Sequence, residues 1–102
     1  MSSFDPFVVF LEEHPEWYPI VSSSIYLLIL NFIAQSPKSL TDIQSKYLNI
    51  EQKDIQLVVQ SLVSLKLVSE IKTTAQLLFK ANDNGMLLLQ RLKDAKQALS
   101  TE

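Results

Sequence analysis

The chain has 102 residues, a formal net charge of −2 at pH 7 and 47% hydrophobic residues, which bounds it to one domain with a single core and little room for an enzyme cleft. It has no cysteine, which excludes disulfides and thiolate metal sites, and one glycine, which favours helices over turn-rich β architecture. Residues 1–37 carry Asp5, Glu12, Glu13 and Glu16 without Lys or Arg, whereas residues 38–102 carry all nine basic residues against seven acidic ones. The acidic pI therefore argues against strong nonspecific DNA binding without excluding nucleic acid from the C-terminal two thirds.

In chain order, Asp5-Pro6 reads as a helix start, with Asp as cap and Pro in the first turn, and Pro15 as the stop. Phe7, Phe10 and Leu11 share a face of this short helix, and Phe4, Trp17 and Tyr18 flank it, so five of the nine aromatics fall within the first eighteen residues. Such an arm either packs on its own domain or closes a dimer. No basic stretch precedes an apolar run, so no signal peptide is expected and the cytoplasm is the expected compartment. The most apolar segment, residues 25–34, is about half the roughly 20 residues a membrane span needs, so a buried helix is expected over residues 22–36. Its stripe is Ile25, Leu28, Ile29, Phe32 and Ile33, with Tyr26, Leu27 and Leu30 thickening it, and a helix apolar nearly all round needs cover on nearly all sides.

Residues 39–68 divide into two amphipathic helices joined by a tight turn. Ser39 with Asp42 resembles a capping box, and Leu40, Ile43, Tyr47 and Leu48 follow at helical spacing. Asn49, in the turn, suits a left-handed backbone. Ile55, Val58, Val59, Leu62 and Leu65 form the apolar face of the second helix. Two strands are expected at residues 67–72 and 76–81 around a Thr73-Thr74-Ala75 tip, with Leu77 and Phe79 on one face. Asn82 caps a final helix running to about residue 99, in which Leu88, Leu92, Ala95 and Leu99 recur at coiled-coil spacing.

Helix, helix, helix, hairpin, helix is the order of a winged helix-turn-helix, here mainly α with a small β-hairpin. The run Leu48, Ile50, Glu51, Ile55, Val59, Leu62, Lys66, Leu67, Val68 resembles the recognition segment of the MarR-like, ArsR-like and PadR-like repressors. Phe79-Lys80-Ala81-Asn82-Asp83-Asn84-Gly85 is similar to the aromatic-x-leucine-threonine-x-x-glycine that leads into their last helix. Three positions depart from the pattern: Glu51 replaces a Ser or Thr cap, Lys66 replaces a Gly, and the apolar Leu57 stands on the outer face. The resemblance covers about residues 20–99, and the expected organisation is an N-terminal aromatic helical arm (1–19), a winged helix-turn-helix (20–81) and a C-terminal helix for dimerisation (82–102).

The expected function is sequence-specific double-stranded DNA binding by a small homodimeric transcriptional regulator. Lys53, Gln56, Leu57, Gln60 and Ser64 form the outer face of the second motif helix, where Gln can pair with adenine and Leu can touch a thymine methyl, so an A·T-rich site is expected. Phosphate contacts fall to Lys38, Lys46, Lys53 and Lys72, with Lys80 as a further candidate. The dimer contact is expected at Phe4, Phe7, Phe10, Leu88, Leu92, Ala95 and Leu99. A protein-interaction subunit of a larger assembly, docking through Leu57 and the aromatic arm, is the alternative. No enzyme is expected: the only histidine, His14, lacks a ligand constellation, Ser22-Ser23-Ser24 has no activating base, and there is no phosphate-binding glycine loop. No metal, cofactor or membrane is called for, and no effector is identifiable.

Overall fold

The computed structural model describes the backbone of residues 4–101 and the side chains of residues 9–97. The order is α1 (Phe4–Glu13), a single 3-10 turn (Pro15–Trp17), α2 (Tyr18–Val21), α3 (Ser24–Gln35), α4 (Leu40–Lys46), α5 (Gln52–Ser64), β1 (Val68–Lys72), β2 (Leu77–Ala81) and α6 (Asp83–Thr101). The 3-10 turn and α2 were not anticipated. Each has a proline in its first turn, which keeps both segments short but helical. No single helix among the described residues is long and apolar enough to cross a membrane.

One core joins every layer. Ile29, Leu30 and Ile33 of α3, Ile43 of α4, Ile55, Val59 and Leu62 of α5, Leu67, Phe79 and Leu88 are all at most 1% exposed. Of the five residues expected on the apolar face of α5, Ile55, Val58, Val59 and Leu62 are buried, while Leu65 follows the last turn and is half-buried. On α3 the expectation fails in part: Leu28 is 49% exposed and Ile25 and Phe32 are only half-buried. The helix is therefore covered on one side and open on the other.

Ser39 opens α4 through the capping box. Its hydroxyl accepts from the Asp42 N–H at 3.1 Å, and an Asp42 carboxylate oxygen accepts from the Ser39 N–H at 2.9 Å. Because α4 ends at Lys46, Leu48 falls in the turn and is 81% exposed instead of joining the helix face. Asn49 does not take the left-handed backbone expected of it. Among the described non-glycine residues only Lys66 does, at φ 63°, in the turn from α5 to β1. The turn therefore keeps its shape without glycine, and the Lys66 carbonyl accepts from Asn82 Nδ2 at 2.7 Å and from Asn84 Nδ2 at 3.3 Å.

The hairpin pairs Val68 with Ala81 through Lys72 with Leu77, antiparallel. Its tip is held by Thr73, whose hydroxyl donates to the Gln76 carbonyl and accepts from the Gln76 N–H. A further antiparallel bridge joins Lys38 to Phe79, with both backbone N–H groups paired, so β2 lies between β1 and the residue that follows α3 and Pro37. Asn82 caps α6 as expected, accepting from the Gly85 N–H at 3.0 Å. Gly85 lies against the start of the hairpin: a Cβ there would stand 2.3 Å from the Leu67 carbonyl oxygen.

Candidate nucleic-acid interface

The surface of α5 divides cleanly. Opposite its buried stripe, Lys53, Gln56, Leu57, Gln60 and Ser64 are all exposed. Helical periodicity forces this separation, because these five positions fall on the side away from Ile55, Val59 and Leu62. Glu51 precedes the helix without a side-chain cap bond and pairs with Lys53 at 3.4 Å, both well exposed. The first turn also carries Asp54, so a carboxylate stands on either side of Lys53 in sequence.

The outer face is not uniform along its length. Leu57, Gln60 and Ser64 form one wall of a shallow depression whose other wall is Glu16, Pro19 and Tyr26. Lys53 and Gln56, nearer the helix start, lie outside that depression. The aromatic arm positions this second wall: Trp17 is 3% exposed, and its indole Nε1–H donates to the Leu65 carbonyl just beyond α5 at 3.4 Å.

Of the expected phosphate-contacting lysines, Lys46, Lys53 and Lys72 are exposed, as is Lys80. Lys38 is placed differently. Its backbone completes the bridge to Phe79, its amine donates to the Ser36 carbonyl and hydroxyl, and its Nζ sits 4.7 Å from the Phe32 ring centroid. Lys38 is thus engaged at the end of α3, whereas Lys46, Lys72 and Lys80 are exposed and Lys53 is exposed beside Glu51. Lys72 closes β1 beside the Thr73 tip, on the part of the hairpin farthest along from the core.

The sequence matches no protein-family model and no curated protein significantly. The structure is similar to that of an ArsR-like transcriptional regulator from Rhodococcus sp. RHA1, with a TM-score of 0.68 over 92% of this chain and 85% of that one, at 16% sequence identity. The fold is a winged helix. In this winged helix α4 and α5 are the helix-turn-helix, β1 and β2 are the wing, and α6 follows it.

The winged helix uses the expected dimer residues in another way. Phe10, Leu88 and Ala95 are 8%, 0% and 2% exposed within the one chain, where α6 packs against α1, α3 and β2. Their side chains are largely covered within this chain. Leu92 is half-buried in a groove between α3 and α6, and the side chains of Phe4, Phe7 and Leu99 lie outside the described residues. The arm therefore packs in cis. His14 stacks on Trp17 with centroids 4.2 Å apart, Phe10 adjoins both rings, and Arg91 of α6 lies 5.9 Å from the Phe10 centroid.

Three contributors escaped the sequence reading. Trp17 anchors the end of α5, Lys38 adds a backbone bridge to the wing strand, and Thr73 closes the tip. Only the first had a usable signal, since a buried indole N–H requires an acceptor. Among the described residues, no three His, Asp or Glu side chains converge as metal ligands would.

Proposed function

We propose that this winged helix binds double-stranded DNA sequence-specifically through α5 and serves as a small homodimeric transcriptional regulator of the cytoplasm, not as an enzyme. The observation that carries the reading is the exposed Lys53, Gln56 and Gln60 face, displayed on a helix whose opposite side is fully packed. A major groove accepts such a helix, and its first turns reach base edges. Gln56 and Gln60 suit adenine edges, so an A·T-rich site is the preferred duplex. Lys46, Lys53 and Lys72 supply phosphate contacts, with Lys80 beside them, while the engaged Lys38 plays a smaller part. Leu57 serves as a thymine-methyl contact, and Ser64, at the far end of α5, stands at the edge of the readable surface.

Self-association draws on the apolar surface left exposed on α1 and α6, namely Val9 and Leu87, together with the expected Phe4, Phe7 and Leu99. A two-fold pair presents two α5 helices to successive half-sites. Binding to a pool of randomised duplexes at several salt concentrations tests the proposal. Recovery of a preferred A·T-rich sequence by the unmodified chain, lost in the Lys53/Gln56/Gln60 triple-alanine variant, is the expected result. Equal enrichment by both proteins removes α5 as the reader.

A second reading rests on one observation. Leu57 is 64% exposed and borders the depression walled by Pro19 and Tyr26, an apolar surface that suits a protein partner as well as a groove. Under that reading Leu57→Lys abolishes partner capture and leaves duplex binding absent throughout.

A further inference from the structure

We infer that Asn84-Gly85 is a covalent self-modification site that the fold holds closed, converting to aspartate and isoaspartate when the chain opens. Of the four asparagines only Asn84 precedes glycine; the others precede Phe32, Ile50 and Asp83. The reaction needs the backbone nitrogen of the next residue to lose its proton and attack the asparagine Cγ. The N–Cγ bond forms, the Cγ–Nδ2 bond breaks and ammonia leaves, giving a five-membered succinimide. Water then opens the ring at either carbonyl, leaving aspartate or isoaspartate, with no oxidant or cofactor consumed. A side chain after the asparagine crowds that attack and glycine has none, so Asn-Gly is the labile pair of a flexible chain.

The fold opposes each part of that reaction. Asn84 and Gly85 lie in the first turn of α6, and ring closure requires Asn84 to rotate away from helical ψ. The Gly85 N–H donates to the Asn82 Oδ1 at 3.0 Å, and Gly85 is buried, so the attacking nitrogen keeps its proton out of reach of solvent base. Asn84 Nδ2, the leaving group, donates to the Lys66 carbonyl at 3.3 Å. A Cβ on Gly85 would stand 2.3 Å from the Leu67 carbonyl oxygen, so the backbone there has no space to swing. The products fit this closed site poorly. A carboxylate at position 84 cannot donate to the Lys66 carbonyl, which then faces an acceptor. Isoaspartate routes the main chain through the former side chain and lengthens it by one carbon beside the buried Gly85. The pair therefore marks chains that have opened and hinders their return.

The test uses the full chain without DNA, so its outcome is separate from the fate of the DNA-binding proposal. The chain is held at one neutral pH in native buffer and in guanidinium chloride that unfolds it, and intact mass and peptide maps are followed over days. The unfolded chain should gain the mass of one amide-to-acid exchange in the peptide holding Asn84, at least about tenfold faster than the native chain. Asn84→Gln, which would need a larger ring, should remove that gain. Asn82→Ala, which releases the Gly85 N–H, should speed conversion in native buffer and leave the rate in guanidinium unchanged, with circular dichroism showing the variant folded. Returned to native buffer, chains carrying isoaspartate should unfold at a lower denaturant midpoint than unmodified ones. Equal rates in the two solvents overturn the assignment, as does an unfolded chain that converts at another asparagine or not at all. A folded Asn82→Ala chain that converts no faster than the unmodified one overturns it too.

Discussion

Single residues decide how α4 begins and how α5 ends. The Ser39 backbone N–H, then its hydroxyl, hold the Asp42 carboxyl below its ordinary range, with Lys38 assisting and burial opposing. A carboxyl depressed in the folded chain contributes stability that is complete above its unfolded value and disappears as pH falls through the lower folded one. The loss therefore lies in the acid range at and below ordinary aspartate titration, and Asp42→Asn should flatten that part of the stability profile measured by urea unfolding. Ser39→Ala should cost about 1 kcal/mol at neutral pH by removing the cap. At the other end, Lys66 holds φ 63°, a region that is strained for a residue with a Cβ. Lys66→Gly should raise the unfolding free energy by up to about 1 kcal/mol, seen as a higher urea midpoint, since relief of that strain exceeds the added freedom of the unfolded chain. A lowered midpoint would mean that the side-chain amide bonds from Asn82 and Asn84 to the Lys66 carbonyl already offset the strain.

At the level of elements, the pattern that was legible is the one that alternates. The stripe of α5, the capping box of α4, the two strands and the Asn82 start of α6 all follow from local spacing or local hydrogen bonding, and all are present. Leu48 and Asn49 were misread because helix spacing continues in the sequence beyond the point where Lys46 ends α4. Lys38 looked like a free cation because a backbone bridge to a strand forty-one residues away leaves no local signal. Exposure of the α5 face was readable, whereas the wall that Pro19 and Tyr26 build beside it was not, since only tertiary packing brings them there. These elements carry the DNA prediction. Gln56→Ala or Gln60→Ala should cost about 1–3 kcal/mol of discrimination at one base position, and Lys53→Ala should weaken all duplexes alike with a shallower salt slope. For the wing, Lys72→Glu should lower affinity in a salt-sensitive way without altering the preferred sequence. Competition binding against single-base variants of the selected duplex separates the two patterns, and a changed preference in Lys72→Glu would contradict a phosphate role.

For the whole molecule, measuring 49 × 25 × 20 Å, the question is which apolar surface belongs to folding and which to assembly. Coiled-coil spacing in α6 cannot answer it, because the same four-and-three repeat serves a helix of the same chain as well as a partner's. Here α6 packs against both α1 and α3 of its own chain, so Leu88 and Ala95 are core, and Phe10 of the arm is buried in the same core. Leu88→Ala should therefore reduce unfolding free energy by about 2–5 kcal/mol, the cost of an unfilled cavity around a fully buried leucine. Its monomer–dimer equilibrium should stay that of the unmodified chain under conditions where both remain folded. Val9 and Leu87 are 52% and 39% exposed, and a charge on them meets water in the monomer but an apolar contact in an α1/α6 dimer. Val9→Glu with Leu87→Glu should thus leave the urea midpoint of the monomer nearly unchanged and move sedimentation equilibrium toward monomer. Should Leu88→Ala dissociate the dimer while the double glutamate variant leaves it intact, the stripe would belong to assembly and α1 would have to leave α6 when two chains meet. An unmodified chain that sediments as a monomer at all concentrations would instead remove the two-fold arrangement of α5 helices, leaving one helix and one wing to bind any duplex alone.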